Sequence, residues 1–231
     1  GKNWTQVQSF SVKNRDTRDP HFAELNGELF VYTGTWYCGP NKPEVRNINQ
    51  MVGYGISTKD GKQWSSPFML EGTYGHYVWR TATHNNHVYM CGRRTRDFAE
   101  VATLTERANL LQSKILASQD GKRFLPVGTF QEKEGDETAF MFDELGRITA
   151  ISRRGRDKAE LITLSADFQI TSRQELDRYI GGPFIGRFGD HTLVAGRNIS
   201  GGESKLVICT LVDGKLTTLC DLPSGGDCSY P

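Results

Sequence analysis

Turn-forming dipeptides punctuate this chain at Asn26-Gly27, Asp60-Gly61, Asp120-Gly121, Leu145-Gly146 and Asp213-Gly214. Each lies between short apolar or alternating runs, among them "ELFVYTG", "MVGYGIS", "HVYMCG", "SKILAS", "RITAIS", "ELITLS", "TLVAG" and "KLVICTL". Asn-Gly and Asp-Gly accept the positive φ that tight hairpin turns demand, so the pattern predicts many short strands joined by hairpins. A parallel sheet would need a dozen or more residues between successive strands, and the spacing does not provide them. One stretch departs from the pattern. "AEVATLTERANLL", near residues 99–111, places apolar residues 101, 104, 108 and 111 on one face at helical spacing, which predicts a helix decorating a connection, with a strand as the alternative.

The hairpins are organised by a longer repeat. The segments "RDTRDPHFAELNGELFVYTG", "YGHYVWRTATHNNHVYMCGRR", "EGDETAFMFDELGRITAISRR" and "IGGPFIGRFGDHTLVAGRN" share one form: a polar opening, a strand, a turn, a second strand, then small or basic residues. Anchors at Asp19, Val78, Thr138, Pro183 and Ser229 stand about 59, 60, 45 and 46 residues apart, in the range of a four-stranded propeller blade. Between the openings runs a second element, Ser/Thr-x-Asp-Gly-x-x-aromatic, in "TKDGKQW" and "SQDGKRF", with decayed copies in "SADFQIT" and "TLVDGKLT". The Asp carboxylate and the hydroxyl can tie down turn amides, glycine accepts positive φ, and the aromatic plugs between sheets. The initial "GKNW" reads as the tail of this element and the terminal "GGDCSYP" as the opening of a fifth segment. The expectation is an all-β propeller forming one domain over residues 1–231, incomplete at both ends, with about four complete blades.

Composition bounds the function only loosely. Twenty-eight basic against 27 acidic residues give a net charge of +1, so neither nucleic acid nor an anionic membrane is expected as a partner. No apolar run reaches the length needed to cross a bilayer as a helix. The five cysteines form no close CxxC pair, and His76, His84, His87 and His191 show no HxH or HExxH spacing, so no metal and no cofactor is expected. A two-residue turn at Asp213-Gly214 pairs position 209 with 218, so Cys209 and Cys220 are not directly opposed, and free buried thiols are expected.

The Asp-Gly turns resemble Asp-boxes, the bacterial-neuraminidase repeats. The order RDP, Trp-Arg, Glu-Thr before "GRITAISRR", GGP, then GGDCSYP is similar to that of sialidase-like propellers across essentially the whole chain. That resemblance implies six blades around a central funnel, a secreted or periplasmic setting, and exo-hydrolysis of a terminal, acidic sugar. It also implies a tyrosine nucleophile, a departure from the usual carboxylate, with a glutamate to take the phenolic proton. Residue by residue, Tyr230 in "SYP" resembles the nucleophile and Glu137 its partner. Arg153, or Arg154 in the alternative register, and Arg197 resemble the arginines that hold a sugar carboxylate bidentately. Arg18, Asp19, Trp79, Arg80 and Asp227, at or beside blade openings, complete the substrate-binding set expected from the propeller arrangement. The family's first arginine and its acid/base aspartate are expected before Gly1, so the remainder of the propeller is itself an expected partner.

Two alternatives stand beside this reading. Arg18-Asp19-Pro20 is similar to a tripeptide of five-bladed propeller glycosidases acting on fructosides and arabinosides, in which the aspartate is functional. A carbohydrate-binding propeller without catalysis, or a lyase or transferase on the same scaffold, uses the same fold. Each residue also has a plainer role open to it. Tyr230, Tyr74, Tyr77 and Trp79 can fill a core, and Arg18 with Asp19 can form a structural ion pair.

Overall fold

The local turns build the sheets. Asn26 and Gly27 both take positive φ, 53° and 75°, and join two strands whose last and first residues, Leu25 and Glu28, face one another. Asp213 and Gly214 do the same at 47° and 73°, and the resulting register sets Cys209 opposite Thr218.

The computed structural model describes residues 3–39, 47–100, 103–200 and 202–222. Among these described residues, sixteen strands fall into four sheets, each with its strands in chain order. The first sheet holds β1 (Arg15–Leu25), β2 (Glu28–Tyr37), β3 (Val52–Thr58) and β4 (Phe68–Met69). The second holds β5 (Tyr77–His84), β6 (His87–Thr95), β7 (Leu111–Ser118) and β8 (Leu125–Gln131). The third holds β9 (Thr138–Phe142), β10 (Ile148–Arg154), β11 (Asp157–Leu164) and β12 (Ile170–Glu175). The fourth holds β13 (Gly181–Phe188), β14 (His191–Ser200), β15 (Glu203–Val212) and β16 (Lys215–Leu222). Helix α1 (Leu104–Leu110) lies in the β6–β7 connection and starts at a capping box. Thr103 Oγ1 accepts the Glu106 amide, and Glu106 reaches back to the Thr103 amide.

The Asp-Gly turns after β3 and β7 are made alike. Thr58 Oγ1 accepts from the Gly61 amide at 3.0 Å, while Asp60 Oδ1 accepts from the amides of Lys62 and Gln63, both at 2.8 Å. Ser118 and Asp120 repeat these bonds toward Gly121, Lys122 and Arg123 at 2.9, 2.8 and 2.8 Å. The decayed copy keeps part of the arrangement, with Ser165 Oγ accepting from the Gln169 amide at 3.2 Å. Four residues after each aspartate comes the aromatic. Phe124 is fully buried and meets the Tyr32 ring edge-on at 5.7 Å. Backbone packs directly against it: a Cβ on Gly72 would lie 1.9 Å from the Phe124 carbonyl oxygen.

Contacts divide the chain into two compact units, the first running to Gly92 and taking in Leu116–Leu125, the second the remainder. The core of the first joins Ala23, Leu25, Phe30, Tyr32 and Leu70 of one sheet to Val78, Val88, Met90, Leu116 and Phe124 of the next. In the second unit, Ala139, Ile151 and Leu161 of the third sheet pack on Ile185, Val194 and Cys209 of the fourth. Each junction is thus made by the apolar faces of two consecutive sheets, in accord with alternating strand patterning.

Candidate functional site

A group of interlocked charged side chains in the second unit is built around the step from β8 to β9. The loop is pinned from both sides. The Gly135 amide donates to the Leu111 carbonyl at 2.9 Å, and a Cβ there would lie 2.3 Å from backbone at Gln112. Gln131 accepts the Asp136 amide at 3.1 Å and donates to the Arg153 carbonyl at 3.2 Å. These restraints present Asp136 and Glu137 side by side, 7% and 8% exposed.

Asp136 is held on both oxygens. Oδ1 accepts from Arg93 Nη1 at 2.7 Å and from the Glu137 amide at 2.9 Å, and Oδ2 accepts from the Gly155 amide at 3.1 Å. Arg153 Nε lies 3.4 Å from Oδ2. Glu137 is held on one oxygen only: Oε2 accepts from Arg153 Nη1 at 2.9 Å and from the Gly182 amide at 3.0 Å. Among the described residues, Oε1 accepts no hydrogen bond. Two carboxylates and two guanidinium groups therefore interlock, as buried charges must if they are to stay ionised. Burial works against the Arg153 charge, but Asp136 and Glu137 outweigh it and hold the guanidinium more firmly protonated than usual.

Tyr179 extends the group. The Arg153 guanidinium lies 5.7 Å from the centre of its ring, a cation–π distance, and Arg197 Nη2 approaches its hydroxyl at 3.4 Å. Glu137, Arg153 and Arg197 are thereby linked through one buried tyrosine. Arg154, one residue on, points away and pairs with Glu175 at 3.2 Å. Asp136, Arg93 and Tyr179 were not singled out in the sequence. Asp136 had a signal, its place beside Glu137 in "EGDET" at a segment opening; Arg93 and Tyr179 join only through contacts distant in sequence.

In the first unit, Arg18 folds back onto Asp16, with which it forms an ion pair. Asp19 has φ 56° at an irregularity of β1 between Arg18 and His21. Trp79 is 1% exposed, meets His21 edge-on at 5.1 Å and stacks on Tyr77 at 6.2 Å. The Arg80 guanidinium lies 5.8 Å from its ring centre. Trp79 thus fills interior space in this unit. Tyr230 and Asp227 lie outside the described residues.

His21 carries a testable consequence. Burial, reinforced by the Arg80 charge, lowers its imidazole from 6.5 to about 3, and Nε2 has no hydrogen-bond partner among the described residues. The folded chain keeps His21 neutral while the unfolded chain takes up a proton below about pH 6.5. Its contribution to stability is therefore complete above that pH and lost as pH falls toward about 3, at about 1.4 kcal/mol per pH unit. Denaturant titrations should show that slope reduced in His21→Gln; an unchanged slope would assign the acid sensitivity to other groups.

No protein-family profile and no curated protein matches the chain. Solved structures do. A protein of unknown function from Dyadobacter fermentans matches with a TM-score of 0.73 at 13% identity, over 94% of this chain and 68% of its own. Zg3597, a family 117 glycoside hydrolase from Zobellia galactanivorans, matches with a TM-score of 0.69 at 11% identity, over 95% and 74%. CoXyl43, a GH43 β-xylosidase/α-arabinofuranosidase from a compost metagenome, in complex with xylotriose, gives 0.59 at 10%, over 90% and 78%. Identities this low show the fold alone, and that fold is a β-propeller of the kind found in glycoside hydrolases. These neighbours are not sialidases, so they lend the expected six-bladed sialidase type no support. The Ser/Thr-x-Asp-Gly turns that suggested it are a local hydrogen-bonding device compatible with other propellers.

Proposed function

We propose that this chain is a propeller glycoside hydrolase acting on pentose-containing glycans, xylosides or arabinosides, with Glu137 as its proton-handling carboxylate. The observation that carries the reading is the state of Glu137. It is buried at the opening of β9 and fixed through Oε2 by Arg153 and Gly182, while Oε1 is left out of those bonds. Fixed orientation with one oxygen unengaged is what general acid–base catalysis asks of a carboxylate. Asp136, engaged on both oxygens, acts as a positioning residue that braces Arg93, Arg153 and the Gly155 amide. Glycosidases of the common kind use two carboxylates, one for the leaving oxygen and one for water or the sugar carbon. Asp19, in the Arg18-Asp19-Pro20 tripeptide similar to that of five-bladed propeller glycosidases acting on fructosides and arabinosides, supports the same enzyme class by resemblance. Support for the substrate class comes from the name of the β-xylosidase/α-arabinofuranosidase neighbour, which is analogy rather than geometry.

The first experiment is a panel of aryl glycosides offered to the purified chain: α-L-arabinofuranoside, β-D-xyloside and sialoside. Release of the aryl alcohol from a pentoside is expected. Release from the sialoside alone, abolished in Tyr230→Phe, would replace this reading with the tyrosine-nucleophile one. Oligosaccharide binding without hydrolysis of any substrate would make the chain a carbohydrate-binding propeller.

A further inference from the structure

Three of the turns that carry Asn or Asp before glycine hold the glycine amide in the same way. Gly61 donates to Thr58 Oγ1 at 3.0 Å and Gly121 to Ser118 Oγ at 2.9 Å. Gly27 donates to Glu24 Oε1 at 2.7 Å, so Glu24 stands where Thr58 and Ser118 stand, three residues before the glycine. The turns differ in the residue between. Asp60 and Asp120 are carboxylates, each accepting two backbone amides beyond its own turn glycine. Asn26 belongs to the one Asn-Gly pair in the sequence. It is exposed, and its side-chain amide makes no hydrogen bond among the described residues.

That difference matters chemically. The backbone nitrogen that follows an asparagine can attack the side-chain Cγ. The N–Cγ bond forms, the Cγ–Nδ2 bond breaks, and ammonia leaves with the proton that the backbone nitrogen gives up. The resulting succinimide takes up one water at either carbonyl and opens to aspartate or to isoaspartate, in which the chain runs through the side chain. An ionised carboxylate is a far poorer electrophile than an amide, and those of Asp60 and Asp120 are already bound to backbone. At Asn26 the approach is open, since even a Cβ added to Gly27 would meet nothing within 4 Å. What opposes the attack is Glu24. The nitrogen attacks only after losing its proton, and a hydrogen bond to a charged acceptor holds that proton in place. The carboxylate also disfavours a second negative charge beside it.

We propose that Asn26 is a site of spontaneous deamidation, and that Glu24 sets its rate by holding the Gly27 amide proton. The reaction needs only water. Its isoaspartyl product lengthens the turn by one backbone atom. A two-residue hairpin turn with Leu25 facing Glu28 has no slack for that atom. Leu25, 4% exposed, anchors the end of β1 in the first unit's core. Isoaspartate therefore loosens the β1–β2 hairpin, whereas aspartate at the same place leaves the backbone length unchanged.

The test incubates the whole chain at mildly alkaline pH, after circular dichroism and thermal unfolding have established that each variant folds. Mass spectrometry of the proteolytic peptide containing Asn26, with enzymatic methylation of isoaspartate, measures conversion. Wild type is expected to convert slowly. Glu24→Ala should convert about tenfold faster, the worth of a hydrogen bond to a charged group. Glu24→Gln keeps an acceptor without its charge and should fall between the two. Asn26→Asp should melt as fresh wild type does, while wild type rich in isoaspartate should melt lower. Equal rates in wild type and both Glu24 variants would overturn the proposal. Slower conversion in Glu24→Ala would also overturn it, by making the carboxylate a base that assists the attack. So would Asn26 that stays intact in every sample.

Discussion

Arg153→Leu is expected to cost about 3 kcal/mol of folding stability, measured as a shift of the denaturant midpoint at unchanged m-value. Breaking a buried ion pair by removing one partner typically costs about 3–5 kcal/mol, because the other charge stays buried and uncompensated. Here two carboxylates lose their shared partner. Glu137 Oε2 keeps only the Gly182 amide, and Asp136 keeps Arg93 and the Gly155 amide. The Arg153 side chain is 22% exposed, which admits some water and places the expectation at the lower end of that range. The π-face of Tyr179 loses its guanidinium as well. Arg153→Lys should cost less, since it keeps the charge but cannot reproduce the planar fork that serves Glu137, Asp136 and the Gly155 carbonyl together. Adding Glu137→Leu to Arg153→Leu should recover part of the loss, because an absent pair is cheaper than half of one. A cost below about 1 kcal/mol for Arg153→Leu would mean that solvent, rather than Arg153, satisfies these carboxylates.

The same cluster shows what was legible in the sequence. The turns were, because their chemistry is local: Ser118, Asp120 and Gly121 make the same bonds as Thr58, Asp60 and Gly61, and a few residues contain every partner. The register of β15 on β16 from the turn as far as Cys209 opposite Thr218 followed from the two-residue turn, and it slips only beyond that pair, between Cys209 and Ile208. The helix near residues 99–111 was legible in kind, and its described extent, Leu104–Leu110, is set by the Thr103 cap. The choice between Arg153 and Arg154 was not legible. The register of β10 on β11 slips between Ser152 and Arg154, and a slip of one residue reverses which side chain faces which way. Arg93 and Tyr179 stand 43 residues either side of Asp136 and could be placed only by tertiary packing. The propeller type was not legible in the turns, for a related reason. Blade number and family are decided by how sheets close on one another, whereas the motif that suggested a sialidase records only how one turn is tied.

That leaves the chemistry, for which the cluster supplies a second large expectation. Glu137→Gln preserves shape and can still accept through its amide oxygen from Arg153 and Gly182, so the variant should fold. It removes the group's ability to give or take a proton. General acid–base assistance is typically worth about 10²–10⁴-fold, and turnover of an aryl pentoside should fall by roughly that factor. The binding of a pentose oligosaccharide should change by far less, since the substitution acts on proton transfer rather than on the cavity. The most direct measurement is therefore kcat for an aryl arabinofuranoside or xyloside with wild-type and Glu137→Gln protein, alongside the melting profile of each. The account predicts hydrolysis by wild type and a loss of about a hundredfold or more in a variant that melts as a folded protein. Glu137→Gln protein that hydrolyses the pentoside within a few-fold of wild type would contradict it, and would leave Glu137 and Arg153 as structural partners alone.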